Sequence, residues 1–407
     1  MNDEPAPFSL RSIAVPAFGP SLLFGIGEGA ILPVIALSVR DLGGSVALAA
    51  LVVTLIGIGS LVSNLPASII TTRYGERWAI VGASAWCALA MAICMAVPNL
   101  AAFTAGVFMI GMASAVYNLA RQSYLTEAVP FHYRARALST LGGVMRIGLF
   151  IGPFLGAAVI PFAGLAGAYG VGVVALVLSA LLAARMPDLP GERQTAVLAA
   201  VAAAADGGPR APTIRAVTAS HARILLTVGI GTLLVSAVRA SRQAVVPLWA
   251  DHLGLDAATI SLIYGLAGGI DMLVFYPAGK VMDRKGRAWV AVPSMFIMAA
   301  GLLYLPLAHS AATLLIAALI LGFGNGIGSG MIMTLGADYS PAAGRAHFLG
   351  VWRLMADIGS TSGPALLSGA TALFSLAAGI VCTGLIALAA GSVLWYWIPR
   401  TAKRPAG

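Results

Sequence analysis

Pro277-Ala278-Gly279-Lys280-Val281-Met282-Asp283-Arg284-Lys285-Gly286-Arg287 ends one apolar run of this 407-residue chain and begins the next. Charges gather around Gly286, where a tight turn is cheap only for a residue without a Cβ. At an offset of 211 residues the chain carries the same pattern, Pro66-Ala67-Ser68-Ile69-Ile70-Thr71-Thr72-Arg73-Tyr74-Gly75-Glu76-Arg77. Pro66 falls on Pro277, Arg73 on Arg284, Gly75 on Gly286 and Trp78 on Trp289. The register holds without a gap to Glu127 and Asp338, Pro130 and Pro341, Arg134 and Arg345, Gly148 and Gly359, and Gly152-Pro153 and Gly363-Pro364. Shared hydrophobicity alone would not align charges, glycines and prolines, so the chain is two copies of one unit.

The unit is a membrane one. Hydrophobic residues make up 59% of the chain and charged residues 10%. A helical span needs roughly 20 apolar residues, and 78–97, 162–184, 288–307 and 373–398 qualify without a charge. The apolar runs predict an all-α membrane protein of twelve transmembrane helices, near 13–39, 46–70, 78–97, 100–126, 137–160, 162–184, 221–250, 257–281, 288–307, 310–337, 347–371 and 373–398. They form two pseudo-symmetric six-helix bundles, 1–185 and 221–407, joined by a cytosolic linker, 186–220, whose Ala196–Ala205 piece is too short to span. Barrel strands would alternate in character over about ten residues, which these runs do not. Two like-oriented halves of this size are the layout of an alternating-access transporter, with the substrate between them.

Most of the 24 Lys and Arg fall in or beside segments on the face that holds both termini; Arg40 alone lies in a loop on the other. That asymmetry predicts cytosolic termini, and it absorbs the net charge of +9, leaving none to assign to nucleic acid. The first apolar stretch is too long for a cleaved signal and is expected to stay as an anchor. Cys87, Cys94 and Cys382 lie in apolar spans and read as small buried hydrophobes. The sequence shows no metal-ligand spacing, nucleophile-base constellation or phosphate-binding glycine loop, so neither enzyme chemistry, a metal, a cofactor nor ATP drive is expected.

The 277–287 stretch resembles the signature of the major facilitator superfamily, Gly-x-x-x-Asp-Arg-x-Gly-Arg, through Gly279, Asp283, Arg284, Gly286 and Arg287. The first-half copy departs from it at Ser68 and Thr72 while keeping Arg73 and Gly75. Glu127 with Arg134, and Asp338 with Arg345, are similar to the family's Glu-x6-Arg element; ordinary interfacial charges are the plainer alternative. The resemblance implies a cytosolic gate, ion-pair networks that hold the halves together when the protein faces outward. Gly148, Gly152, Pro153 and Gly156 resemble the Gly-x-x-x-Gly-Pro-x-x-Gly-Gly element of exporters in this superfamily, although the same spacing also serves close helix packing. Ala157 replaces the last glycine, and Leu367 departs from the pattern in the second half.

Charges inside spans carry the chemistry, because each costs ~2.5–3.5 kcal/mol or more at the bilayer centre unless partnered or hydrated. Glu28, Asp271 and Asp357 are the candidate proton-coupling acids. In the fold that the resemblance implies, spans 5 and 8 touch across the halves, which predicts an Arg146–Asp271 interdomain pair that acts more in structure and gating than in carrying protons. Asp357 sits one turn from Arg353, and span 2, its neighbour in that fold, offers Ser60. Glu28 is in span 1, with Arg239 and Arg242 of span 7 as its nearest basic candidates. Burial favours a neutral carboxylic acid and a guanidinium favours the carboxylate, so a group held between them exchanges a proton as access switches sides. A permanent pair with span 7, or contact with a cationic substrate, are the other readings of Glu28. Helical spacing puts Ser114, Tyr117, Asn118 and Arg121 on one face of span 4 and Arg239 with Gln243 on one face of span 7. Asn325 and Ser329 share a face of span 10. With Arg242 these are the expected substrate-cavity residues. Arginines outnumber acids there, which leaves an anionic or zwitterionic substrate open.

The function these features imply is proton-antiport efflux of a small organic compound by alternating access, similar to the drug and small-molecule exporters of the superfamily. The expected setting is the cytoplasmic membrane, with the chain acting as a monomer and the substrate, protons and lipid bilayer as its partners. A proton-coupled importer of an organic anion is the alternative within transport. A non-transporting sensor is the other, and the intact Asp283-Arg284 cluster argues against it.

Overall fold

In lipid, backbone polar groups must be satisfied within the segment, which apolar runs of this length do as helices. The computed structural model describes residues 14–129, 131–187, 214–341 and 345–401. The first half contains α1 (Ala14–Ile31), α2 (Ile35–Asp41), α3 (Val46–Tyr74), α4 (Glu76–Ala96), α5 (Leu100–Ala128) and α6 (Phe131–Ala183). The second contains α7 (Ile214–Ser220), α8 (Ile230–His252), α9 (Ala257–Lys285), α10 (Ala288–Tyr304), α11 (Ala311–Ile327), α12 (Met331–Tyr339), α13 (Arg345–Leu373) and α14 (Leu376–Thr401). The Ala196–Ala205 piece of the linker lies outside the described residues.

Ten segments among the described residues are long and apolar enough to cross a membrane. One of them, Thr140–Ala183, runs for 44 residues, about twice what a bilayer needs. Gly164 divides it with a φ of 61°, which suits a residue without a side chain. α13 has the length of a span but is not among the ten; Arg353 and Asp357 lie on it.

Three rods read as continuous in the sequence are interrupted. Pro33 has no amide to donate, and the first rod breaks between α1 and α2. A π-helical turn, Leu225–Gly229, leads into α8. Gly330, with a φ of 79°, separates α11 from α12. The breaks at Pro33 and Gly330 fall within a few residues of Glu28, Asn325 and Ser329, so irregular backbone sits where the buried polar groups are.

The 211-residue register persists in the packing. A Cβ on Gly148 of α6 would lie 2.3 Å from the Leu22 carbonyl oxygen of α1, and one on Gly359 of α13 would lie 2.1 Å from that of Leu233 in α8. Likewise Gly111 abuts Ile56 and Gly322 abuts Ala267, each at 2.2 Å from the carbonyl oxygen. Small residues let helix backbones touch in lipid, where apolar exclusion does not drive association. The helix caps repeat as well. Ser45 accepts from Leu48 N (3.1 Å) and Asp256 from Thr259 N (3.0 Å), while Asn99 accepts from Ala101 N (2.8 Å) and Ser310 from Thr313 N (3.3 Å). Hydrogen bonds from Thr259 hold the Asp256 carboxyl below its usual range.

The halves meet along two seams. In one, α6 packs on α9, with Phe150 and Phe154 filling the space over Gly269 and Gly265. In the other, α3 packs on α13, where Gly57 faces Thr361 and Ser368 Oγ donates to the Ala47 carbonyl (2.6 Å).

Candidate functional site

Along the α6/α9 seam the two halves enclose a cavity of about 250 Å³, lined among others by Leu32, Arg146, Phe150, Arg242, Gln243, Tyr264, Asp271 and Asn325. Asp271 projects from α9 and is the carboxylate of this site. Arg146 Nη1 of α6 lies 3.6 Å from its Oδ1, and Arg242 Nη2 of α8 lies 3.7 Å from its Oδ2. Asn325 Nδ2 donates to Oδ2, whereas Oδ1 is buried without a hydrogen bond. Arg146 also donates to Ser329 Oγ and stacks on Phe275, its guanidinium 4.4 Å from the ring centre. Arg239, one turn before Gln243, donates to the Asn325 carbonyl (2.7 Å) and acts electrostatically on Asp271, Arg146 and Arg242. That carbonyl is exposed to it by the break between α11 and α12. Three guanidinium groups therefore face one carboxylate in a largely buried site.

Glu28 occupies a different environment from the one its sequence position suggests. Ser114 Oγ donates to Glu28 Oε1 (2.5 Å), and the guanidinium that bears on it electrostatically is Arg121 of α5, not Arg239 or Arg242 of α8. Arg121 also lies 6.0 Å from the Tyr117 ring centre, and its buried Nε and Nη1 have no hydrogen-bond partner. Tyr117 is wholly buried and stacks on Phe24, 3.8 Å between ring centres, so it packs behind the cavity wall. Leu32, one helical turn after Glu28, lines the α6/α9 cavity, which puts the acid next to that space.

Asp357 lies on the other seam. Asn64 Nδ2 of α3 donates to its Oδ2 (3.3 Å), and Arg353 Nε is 3.9 Å away on the same helix. Asn64, not Ser60, is thus its partner across the halves. A second cavity, about 450 Å³, opens here among Asn64, Ser68, Asn118, Gln122, Arg353 and Asp357. The cavity residues inferred from spacing are therefore split. Ser114, Tyr117 and Arg121 surround Glu28, Asn118 lines the α3/α13 cavity, and Arg239, Arg242, Gln243, Asn325 and Ser329 lie at the α6/α9 cavity.

The gate residues occupy the face that carries the described chain ends. Gly75 and Gly286 make the expected turns with φ of 81° and 95°. Arg287 Nε pairs with Asp338 Oδ2 at 2.7 Å, a contact within the second half. Arg73 lies over Tyr74 (5.7 Å), Arg284 is exposed, and Gly279 has open space around it. Glu127 closes α5, while the side chains of Arg134, Asp283 and Arg345 lie outside the described residues. On the opposite face Arg40 Nε and Asp251 Oδ2 are 3.4 Å apart and join the halves. They are 211 residues apart, and two charged residues at equivalent positions are a signal the alignment already contained. Gly148 and Gly152 of the exporter-like element seat α6 on α1; Gly156 is looser, 3.3 Å from the Ala30 carbonyl oxygen, and Pro153 lies inside α6.

Two helical halves with buried charges and a cavity between them define a secondary transporter. The sequence profile of the Major Facilitator Superfamily matches residues 20–238 and again 228–407, and the chain belongs to that family. It is a multi-pass membrane transporter of small molecules and not an enzyme. Among solved structures it is similar to a D-xylose-proton symporter, at 18% identity and TM-score 0.73, covering 97% of this chain and 99% of that one. The nucleoside transporter NupG is similar at 14% identity and TM-score 0.72, covering 94% and 99%. The human organic anion transporter MFSD10 is similar at 13% identity and TM-score 0.66, covering 94% and 99%. No curated protein matches the chain by sequence.

Proposed function

We propose that this transporter moves a small organic anion together with a proton. The observation that carries this reading is the pairing of both Arg146 and Arg242 with the single carboxylate of Asp271, with Arg239 close by on the Asn325 carbonyl, beside a cavity shared by both halves. Surplus positive charge in a site walled from water is costly, and a carboxylate, sulfonate or phosphate on the substrate relieves it. Guanidinium forks match such groups bidentately. The neighbouring structures bear the names of sugar, nucleoside and organic anion carriers, so the fold leaves the substrate open, and the charge of the cavity supports an anion.

Coupling is assigned to Glu28. As a carboxylate it adds negative charge near the substrate cavity and offsets Arg121, whose buried Nε and Nη1 lack hydrogen bonds. Once protonated it withdraws that charge, so proton and anion are favoured in the same state, which is the logic of symport. The excess of Lys and Arg on the face with the termini supports a reading in which they lie in the cytosol, in a cytoplasmic membrane. The Arg40–Asp251 pair then closes the outer face. Proton-antiport efflux is the second reading, supported by the exporter-like Gly148, Gly152, Pro153 and Gly156. Against it, Gly359 and Gly363 make the same backbone contacts in the other half, which supports a packing role for the element.

Proteoliposome uptake with carboxylate, sulfonate, phosphate and cation panels tests both. Anion uptake should accelerate when the entry side is acid, and Glu28→Gln should abolish gradient-driven accumulation while leaving anion exchange. Transport of cations alone, or acceleration by acid on the far side, rejects the symport reading.

A further inference from the structure

The degraded first-half turn has no part in the reading above, yet it caps an apolar groove of about 530 Å³ between α3, α4 and α5. Ser63, Pro66, Tyr74, Trp78, Gly82 and Trp86 are among its walls. Tyr74, Trp78 and Trp86 are 60%, 53% and 44% exposed, so the groove opens outward to where lipid would lie. From Tyr74 to Ser63 it follows α3 for about 16 Å at ~1.5 Å per residue, the reach of much of one acyl chain. A Cβ on Gly82 would meet nothing within 4 Å, which leaves the space open, and the buried Ser63 Oγ at its inner end lacks a hydrogen bond.

The mouth is basic. Arg73 is exposed beside Tyr74, and Arg77 lies 5.1 Å from the Trp78 ring centre while its Nη2 donates to the Ala184 carbonyl (2.6 Å). Glu76 is engaged by Ser123 Oγ (2.9 Å). The first half has Thr72 where the second carries Asp283 and Glu76 where the second carries Arg287, so each turn keeps one acid. The counterpart positions also differ along the walls, with Pro293 for Gly82 and Phe323 for Met112.

We propose that this groove binds one anionic phospholipid of the bilayer, its chain between α3, α4 and α5 and its phosphate at Arg73 and Arg77. Near a membrane surface each basic residue favours an anionic lipid about fivefold. The apolar walls hold the chain, and the acid of this turn, Glu76, is engaged by Ser123.

Native mass spectrometry of the intact protein, taken from equal mixtures of phosphatidylglycerol and phosphatidylcholine, tests the site. One retained phosphatidylglycerol is expected, with its excess over phosphatidylcholine reduced about fivefold by Arg73→Gln and the retained lipid lost in Gly82→Leu, which fills the groove. Lys285→Gln, at the position equivalent to Tyr74, should leave the ratio unchanged. The proposal is overturned if phosphatidylcholine is retained equally, if Lys285→Gln acts as strongly as Arg73→Gln, or if folded Gly82→Leu keeps the lipid. Helical content by circular dichroism establishes that each variant is folded.

Discussion

The two seams between the halves are built from equivalent positions and hold opposite chemistry. Arg146 on α6 corresponds to Asp357 on α13, and Phe275 on α9 corresponds to Asn64 on α3. On the first seam a guanidinium lies on an aromatic face and two arginines pair with Asp271 while a third lies close by; on the second an amide donates to a carboxylate that pairs with an arginine of its own helix. The backbone contacts are shared and the charges are not. Duplication fixed the packing, and divergence of a few side chains confined the surplus positive charge to one side. A symmetric scaffold can thus place an asymmetric site.

Removing Asp271 should break this contrast most severely. Asp271→Asn leaves the guanidinium groups without their carboxylate, and breaking a buried pair from one side costs about 3–5 kcal/mol. Transport should fall below about one-tenth of wild type and the unfolding temperature should drop in thermal scans. Arg146→Lys keeps the charge but loses the planar stacking on Phe275 and the fork toward Asp271 and Ser329. With cation–π contacts worth roughly 0.5–2 kcal/mol, a three- to tenfold loss in substrate affinity is expected in transport competition assays.

The second seam should tolerate the matching change. Asp357→Asn retains an oxygen for Asn64 Nδ2, so the uptake rate should stay within about threefold of wild type. A loss as large as that of Asp271→Asn would show that the seams are functionally equal. The smallest effect is expected at the outer face. A double-mutant cycle of Arg40→Gln and Asp251→Asn should give a coupling of about 0.2–1 kcal/mol in stability, as for exposed pairs, with a modest rise in outer-face labelling of a cysteine probe.

Much of this arrangement was legible in the sequence because charge is conspicuous in an apolar chain. Arg146 and Asp271 stand out in their spans, and the 211-residue register aligns the turns, caps and packing glycines. Asn64 was not legible: a neutral amide among helical polar residues gives no periodic or electrostatic sign, and only the α3/α13 contact reveals its role. The surroundings of Glu28 were not legible for a related reason. Spans 1 and 7 are equivalent by repeat, yet the helix that supplies Ser114 and Arg121 belongs to the same half, where close packing brings α5 against the acid. The breaks at Pro33 and Gly330 had their residues in view, but a proline or glycine in a membrane helix marks a bend or a full interruption only once its neighbours are placed.

The Arg40–Asp251 pair joins two equivalent points of the repeat across its twofold axis. A dimer of identical half-length chains would present the same side chain to itself at that point, arginine to arginine or aspartate to aspartate, and repel. A bridge between opposite charges there is open only to two halves free to mutate separately. This contact is therefore a molecular record of divergence, dating its own origin to a time after the two copies ceased to be identical.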